Sequence, residues 1–399
     1  MLRQMLALRD WSVRVLAGRA GDITPELWRA AADSPHHVWG HFLGLERCAH
    51  PLTQQLDAYL KRQDASGTAT AAAHATRNAL RATRHASLEL QRALSAARQL
   101  RTIGEGAERE GWPCVVLKGG VPAASGKDFL DLHDVDVLVR SEHLPLATAA
   151  LAEAGYATAP VASRPYHLSP RTAEQSLPVE LHTSLQRDGA PPPDEMWERM
   201  VTIASTRGLF RLAAQDHLWH VLTHAVCDHP HRASRLRDAL LAAQALALCS
   251  PPDEAAVARR IDSHLERTRL RATLSLAELV AGKRSAATDP LRDVAASDYL
   301  ASIAGQHPLC PRDMQQTLTL CAAAIHAGQP YRRKLWTASM SREAAAPHPL
   351  VSWLERPLPR AGAGLRVGLR LARLAVAMPA AGLLVMIARG EERGTRAQD

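Results

Sequence analysis

Three short β-prone runs interrupt a chain that is otherwise patterned as helix, and they constrain the fold more than any other feature. Residues 113–117 form an apolar run, residues 134–139 place two aspartates among valines, and residues 179–182 alternate apolar and polar side chains. A period of two puts successive side chains on opposite faces of a strand. Because helical patterns flank all three runs, the sequence predicts a small mixed sheet embedded in helices, an α+β fold.

Helical periodicity dominates on both sides of these runs. Leucines recur close to the 3.6-residue period in an Ala- and Arg-rich stretch, which predicts one long amphipathic helix from about residue 70 to 108. Another helix is predicted from Leu144 to Ala154, closed by Gly155, and the pattern is helical again from Leu212 onward. The predicted organisation is an N-terminal helical region (1–108), an α/β core (109–190), a C-terminal helical domain (191–345) and a tail with a short apolar helix (346–399).

Composition narrows the class of protein. The 399 residues carry a formal net charge of +8, supplied mostly by arginine, and only 4% are aromatic. A mildly basic balance permits anionic ligands, but so few aromatic residues disfavour a base-stacking nucleic-acid surface. Six scattered cysteines form no C-x-x-C motif, and the N-terminus shows no signal-peptide pattern, so a cytoplasmic protein is predicted.

The second and third runs bring together groups that suggest metal chemistry. Asp134 and Asp136 lie two residues apart and share one strand face, and Glu180 adds a third carboxylate on another strand. Neighbouring carboxylates repel each other unless a cation lies between them, and two-metal phosphoryl transfer requires such a set. Lys118 and the glycines after it suit a turn whose N–H groups approach phosphate. A solvated strand edge is the alternative interpretation of the two aspartates.

These residues resemble a known family. Gly-Gly, a spacer, Asp-x-Asp and a later acid resemble the polymerase-β-type nucleotidyltransferase superfamily. More closely, Lys118-Gly119, Asp134–Val139 and Val179–His182 are similar to the LKG turn, D-I-D-L-L-V strand and V-x-L-H strand of an uncharacterised bacterial nucleotidyltransferase family. Tyr156 and His167 fit two further family positions, and the resemblance covers about residues 75 to 330.

The resemblance implies an enzyme with a nucleotidyltransferase unit between helical regions. Such an enzyme moves an NMP group from an NTP to an acceptor hydroxyl, with two Mg²⁺ ions or with Mn²⁺ in their place. The carboxylates would be both catalytic and metal-binding residues, and the turn would bind the triphosphate. The implied site residues are Asp134, Asp136 and Glu180 for metal, and Lys118, Gly119 and Gly120 for phosphate.

The acceptor and the nucleotide base are left open by the sequence, as is the oligomeric state. Family members accompany polysaccharide or modified-peptide biosynthesis, so a small-molecule, glycan or peptide acceptor is favoured over nucleic acid. The chain also departs from the family pattern, because residues 129–133 contain no arginine before Asp134, although Lys127 could compensate. The alternative is therefore a non-catalytic helical scaffold or a degenerate nucleotide-binding protein of a biosynthetic assembly.

Two further segments carry open alternatives. His217, His220 and His224 follow one helical face, within a segment (215–224) that resembles the family's helical part, and structural histidines are favoured there over metal ligands. The apolar run 374–388 is too short to span a bilayer and follows an arginine stripe. It is predicted to be a helix docked on the protein or on a partner, or a peripheral contact with the inner membrane.

Overall fold

The computed structural model describes residues 2–126, 129–158, 167–170, 177–185, 193–204, 206–228, 235–264 and 266–283. The fold is α+β, as the sequence predicts, with a mixed sheet and flanking helices. The described residues divide into two compact units, one within 2–221, 240–257 and 277–283 and the other within 222–239 and 258–276. The sheet and all the candidate site residues belong to the first unit.

Six helices precede the sheet: α1 (Leu2–Leu16), α2 (Pro25–Ala32), α3 (His36–Glu46), α4 (Ala49–Ser66), α5 (Ala71–Ala82) and α6 (His85–Glu110). Three of the chain's eight tryptophans, Trp11, Trp28 and Trp39, lie in these helices. Trp11 is fully buried and makes edge-to-face contacts with Trp28 and Trp39, at ring-centroid distances of 5.8 and 5.5 Å. This aromatic cluster gives the N-terminal helices their own core.

The single long helix predicted over residues 70–108 is wrong, because the structure has two helices there, α5 and α6. They are separated at Thr83 and Arg84, and Arg84 adopts a left-handed φ of 60°. The Thr83 hydroxyl donates to the carbonyl of Leu80 at 2.7 Å and accepts from the amide of His85 at 3.4 Å. The Thr83 side chain thus bonds the backbone at the end of α5 and at the start of α6, in competition with the backbone hydrogen bonds of one continuous helix. Leucine periodicity does not reveal this competition.

The sheet has seven strands, in the order β3-β4-β5-β2-β1-β7-β6. At its centre, β2 pairs antiparallel with β1 and parallel with β5, and β1 pairs parallel with β7. The three predicted runs form β1, β2 and β5, whereas the sequence did not predict β3, β4, β6 or β7. The strands are β1 (Cys114–Val116), β2 (Val135–Leu138), β3 (Tyr156–Thr158), β4 (His167–Pro170), β5 (Val179–His182), β6 (Val201–Thr202) and β7 (Leu209–Arg211).

Two apolar layers hold the sheet. One face packs against α6 and α8 (Leu144–Glu153), with Val116, Val135 and Val137 in that core. The opposite face packs Val115, Leu117 and Leu138 against α9 (Pro193–Glu198). Helix α8 ends before Gly155, as predicted, and that glycine has a φ of 93°. The polar side chains of β2 and β5 therefore emerge on the face opposite α6.

A close backbone approach locks α6 against the turn before β7. A Cβ on Gly208, which has a φ of 63°, would lie 2.1 Å from the carbonyl oxygen of Gly104. A Cβ on Gly104 would lie 2.3 Å from the carbonyl oxygen of Arg207. Only glycine at both positions permits this contact, and it brings β7 beside β1.

The remaining described helices are α7 (Gly120–Ser125), α10 (Ala214–Thr223), α11 (Leu236–Leu246), α12 (Pro251–Ser263) and α13 (Arg267–Val280). Within the second unit, the buried Arg269 donates to the carbonyl of Val226 at 3.4 Å. Across the described ranges no helix has both the length and the apolar character needed to cross a bilayer.

Candidate active site

The turn after β1 carries the first group of the site. Lys118 follows this buried strand with a left-handed φ of 48°, a conformation uncommon for a residue with a Cβ. Gly120 begins α7, where a Cβ would lie 2.6 Å from Cγ1 of Val116. Gly120 is therefore required for packing against β1, whatever ligand the turn binds, and the turn aims Lys118 back toward the sheet.

Strands β2 and β5 bring two carboxylates side by side. Their parallel register places Asp136 directly opposite Glu180, and Leu138 opposite His182. On its other side β2 is joined to the end of β1, since the Leu117 amide donates to the Asp136 carbonyl at 3.1 Å. The Asp136 side chain is only 6% exposed, whereas that of Glu180 is 23% exposed. Asp136 is therefore the buried member of the pair, and Glu180 is the member closer to solvent.

Two cationic or hydrogen-bonding groups meet at one oxygen of Asp136. Lys118 Nζ donates to Asp136 Oδ1 at 2.8 Å, and His182 Nε2 lies 2.9 Å from the same oxygen. His182 Nε2 is also 3.8 Å from Glu180 Oε2. Asp136, Glu180 and His182 each offer one ligand atom, and these atoms all lie within 4.8 Å of one another. We call Lys118, Asp136, Glu180 and His182 the Asp136 site.

The electrostatics keep Asp136 charged. Burial alone raises its pKa, but the Lys118 ammonium and the hydrogen bond from His182 outweigh that effect. The pKa of Asp136 therefore lies well below its ordinary value. A buried carboxylate held ionised beside a second carboxylate is a donor set that suits a divalent cation.

The structure brings together some of the residues predicted from sequence and leaves others apart. Lys118, Asp136 and Glu180 form the site, and Gly119 and Gly120 lie in the turn beside it. Asp134 is half-exposed and lies just before β2; it is outside the close-set ligand group found among the described residues. Its role as a metal ligand stays a prediction.

His182 was missing from the predicted site residues, although a signal for it was present. The alternation of β5 puts His182 on the same face as Glu180, and its burial pattern follows that alternation. Sequence alone does not show that His182 reaches across to β2, because inter-strand register is a tertiary property. His167, expected before the third predicted strand, begins β4, and its backbone pairs with Glu180.

A second buried carboxylate precedes β2. Asp131 accepts from Arg47 Nε at 2.6 Å and from Arg92 at 2.9 Å, and His133 Nε2 lies 3.0 Å from it. Burial raises the pKa of Asp131, but the hydrogen bond from His133 and the two guanidinium groups bring it well below the ordinary value. We call Arg47, Arg92, Asp131 and His133 the Asp131 cluster. Its arginines, one just after α3 and one on α6, are far from Asp131 in sequence, so no local motif predicted the cluster.

The histidines of α10 are buried in the protein interior. His217 and His220 are only 2% and 4% exposed. Burial, with a smaller effect of Arg211, lowers the pKa of His217 to about 4, so it is neutral near pH 7. Neither histidine belongs to a potential metal-ligand group of the described residues.

Comparison of the sequence with known protein families identifies the class of this protein as nucleotidyltransferase-like. A family model described as "Uncharacterised nucleotidyltransferase" matches residues 58–282, more than half of the chain. The chain belongs to this family, and nucleotidyl transfer is the class of activity that membership supports. No curated protein and no solved structure gives a significant match.

Several residues named from sequence lie outside the described residues. They are Lys127, which was expected to replace a missing arginine, and the whole segment from 284 to 399. The latter includes the apolar run 374–388 and the arginines before it. The predictions for these residues, and the domain boundaries proposed above, stay predictions.

Proposed function

We propose that this protein is an Mg²⁺-dependent enzyme that transfers an NMP group from an NTP to an acceptor hydroxyl and releases pyrophosphate. The observation that carries the proposal is the direct pairing of Asp136 with Glu180 across β2 and β5, beside the lysine of the β1 turn. This arrangement concentrates metal-binding oxygen and one fixed positive charge at one place on the sheet. Phosphoryl transfer depends mainly on such positioning and charge neutralisation.

Asp134, Asp136 and Glu180 would hold two Mg²⁺ ions, with Mn²⁺ as a substitute. When bound, these ions neutralise phosphate charge and lower the pKa of the attacking hydroxyl. The carboxylates present fit that role because Asp136 is ionised although buried, and Glu180 lies beside it at the more exposed position. Glu180 would also accept the proton from the acceptor hydroxyl.

The turn after β1 would bind the triphosphate. Lys118 provides a positive charge, and the backbone of Gly119 and Gly120 lets an anion come close. In the structure the Lys118 ammonium contacts Asp136, and the lysine side chain is 12% exposed. Its long stem allows the ammonium to move from the carboxylate to phosphate oxygens when the site is filled.

NTP is the donor substrate in this proposal. We favour a small-molecule, glycan or peptide acceptor in polysaccharide or modified-peptide biosynthesis, because the chain has few aromatic residues for base stacking. A cytoplasmic location, with or without peripheral contact at the inner membrane, fits such an acceptor.

The test is a transfer assay on the full chain. Each of the four α-³²P-labelled NTPs is incubated with cell extract and Mg²⁺ or Mn²⁺, and labelled product is separated from free nucleotide. We expect one NTP to label a product, EDTA to abolish labelling, and Asp136→Asn to lose it. Asp33→Asn, at an exposed helix end, is the control and should keep full activity.

Two outcomes would contradict the proposal. Equal labelling by the Asp136→Asn variant would remove Asp136 from the active site. Metal-dependent NTP binding in a thermal-shift assay, without transfer to any acceptor fraction, would support the degenerate nucleotide-binding alternative instead.

A further inference from the structure

The donor atoms of the Asp136 site are not all oxygen. The three residues whose ligand atoms lie within 4.8 Å of one another are Asp136, Glu180 and His182, so one imidazole nitrogen joins two carboxylates. His182 Nε2 lies 2.9 Å from Asp136 Oδ1 and 3.8 Å from Glu180 Oε2. Donors bound about 2.1 Å from one octahedral ion lie about 3.0 Å apart when adjacent and about 4.2 Å apart when opposite. The observed 2.9 Å is close to the adjacent-donor distance, and the observed 3.8 Å lies between the adjacent and opposite distances.

A second observation points to a cation at the same place. Lys118 Nζ contacts Asp136 Oδ1 at 2.8 Å, so a positive charge already lies against the most buried ligand atom. Lys118 apart, the carboxylates of Asp136 and Glu180 lie opposite each other across β2 and β5, with His182 near both. The ammonium thus occupies the position where the charge of the site requires a cation, and a bound metal ion would take its place.

We propose that Asp136, Glu180 and His182 form a mixed nitrogen and oxygen site that binds a divalent first-row transition ion, with Mn²⁺ preferred over Mg²⁺. The inference rests on the proposed function and refines its metal: the ion that this site selects for nucleotidyl transfer would be Mn²⁺, with Mg²⁺ as the weaker substitute. Imidazole is a suitable ligand for transition ions, whereas Mg²⁺ prefers oxygen ligands and dehydrates reluctantly. His182 therefore determines metal preference.

The site orients its own histidine. Position 182 lies opposite Leu138 in the β2–β5 register, and the Val139 amide donates to the His182 carbonyl at 2.9 Å. The backbone is thereby fixed across two strands, and a half-buried ring next to a fixed carboxylate loses little freedom on binding. Preorganisation of this kind favours ion binding over the solvated state.

Metal binding is tested by isothermal titration of the full chain with MnCl₂ and, separately, MgCl₂. We expect Mn²⁺ to bind at least about 10-fold more tightly than Mg²⁺. His182→Gln retains an amide donor for Asp136 but removes the imidazole, and it should weaken Mn²⁺ binding about 10-fold or more while changing Mg²⁺ binding less than about 3-fold.

His133→Gln is the matched control. His133 also lies beside a buried aspartate through Nε2, at 3.0 Å, but belongs to the Asp131 cluster. Its Mn²⁺ affinity should equal that of the wild type. Unchanged Mn²⁺ affinity in His182→Gln, or tighter binding of Mg²⁺ than of Mn²⁺ by the wild type, would overturn the inference.

Electron spin-echo modulation of Mn²⁺ bound to the wild-type protein gives an independent readout that needs no variant to fold. We expect ¹⁴N modulation from a coordinated imidazole, replaced by the ¹⁵N pattern after ¹⁵N-histidine labelling and lost in His182→Gln. Absence of nitrogen modulation in the wild type would overturn the inference.

Failure of the inference and failure of the proposed function are distinguishable. NTP transfer by a protein whose Mn²⁺ shows no nitrogen coupling would overturn the inference and leave the proposed function standing. Histidine-dependent Mn²⁺ binding without transfer from any NTP would support the inference and remove the proposed function.

Discussion

The Asp136 site and the Asp131 cluster each contain a nearly buried aspartate, but the two aspartates are stabilised by different partners. The Asp131 side chain is 2% exposed and that of Asp136 is 6% exposed. Asp131 meets two guanidinium groups, fixed planar donors that leave the cluster with excess positive charge. Asp136 meets one flexible ammonium and lies beside a second carboxylate, so one positive charge faces two negative charges there.

The difference indicates which aspartate is structural and which is functional. A carboxylate paired with two arginines, Arg47 just after α3 and Arg92 on α6, has no capacity for another cation. It ties the segment before β2 to the helical region. A carboxylate paired with a mobile lysine can exchange that partner for a metal ion. Low pKa and burial are shared by both groups and do not separate them; the identity of the partners does.

The largest expected effect is on catalysis at the more exposed member of the Asp136 site. Glu180→Gln keeps the size of a side chain that is 23% exposed and removes its charge. Transfer should fall about 100- to 1,000-fold, because several kcal/mol of transition-state charge stabilisation are lost. The initial rate of label transfer measures this, and urea unfolding should show nearly wild-type stability. Full activity in this variant would contradict the conclusion that the Asp136 site is the functional one.

The next effect is on stability in the Asp131 cluster. Asp131→Asn leaves two guanidinium groups without their carboxylate, and breaking a buried pair costs about 3–5 kcal/mol of unfolding free energy. Urea denaturation followed by tryptophan fluorescence measures the loss. Asp262→Asn is the control, because the Asp262–Arg271 pair is exposed and should contribute about 0–1 kcal/mol. A loss below about 1 kcal/mol at Asp131 would mean that this cluster does not hold the fold.

A third buried acid near the cluster has the opposite shift and sharpens the comparison. Glu89 on α6 accepts the amides of Ala49 and His50 at the start of α4, and burial raises its pKa to about 7. Because the pKa of folded Glu89 lies above its ordinary value of 4.5, its contribution to stability is complete below pH 4.5 and is lost as pH rises through 7. The full change is at most about 3 kcal/mol for a shift from 4.5 to about 7.

The measurement compares urea unfolding of the wild type and of Glu89→Gln at several pH values from 5 to 8. The stability of the wild type should fall relative to the variant across this range, while Asp131, ionised throughout, contributes no slope. A flat difference would show that Glu89 titrates at its ordinary pKa, and that the α4–α6 junction is wetter than its burial indicates.

The secondary-structure elements with a local sequence signal could be predicted without the structure. The apolar run at 114–116 and the alternations at 135–138 and 179–182 predicted β1, β2 and β5, because the two-residue period is a property of the strand itself. The same alternation placed Asp136 and Glu180 on polar faces, and the glycine after α8 marked its end. The fold class and the two carboxylates of the site, Asp136 and Glu180, could therefore be predicted from sequence.

Tertiary structure alone decided which polar faces meet. The opposition of Asp136 to Glu180, the reach of His182 to Asp136 and the convergence of Arg47 and Arg92 on Asp131 join residues 39 to 84 positions apart. Strand register and helix packing set these contacts through the whole core, so no short window of sequence contains them. The break between α5 and α6 is the converse case, since Thr83 satisfies both helix ends through its own side chain, and a leucine period that continues across the break hides it.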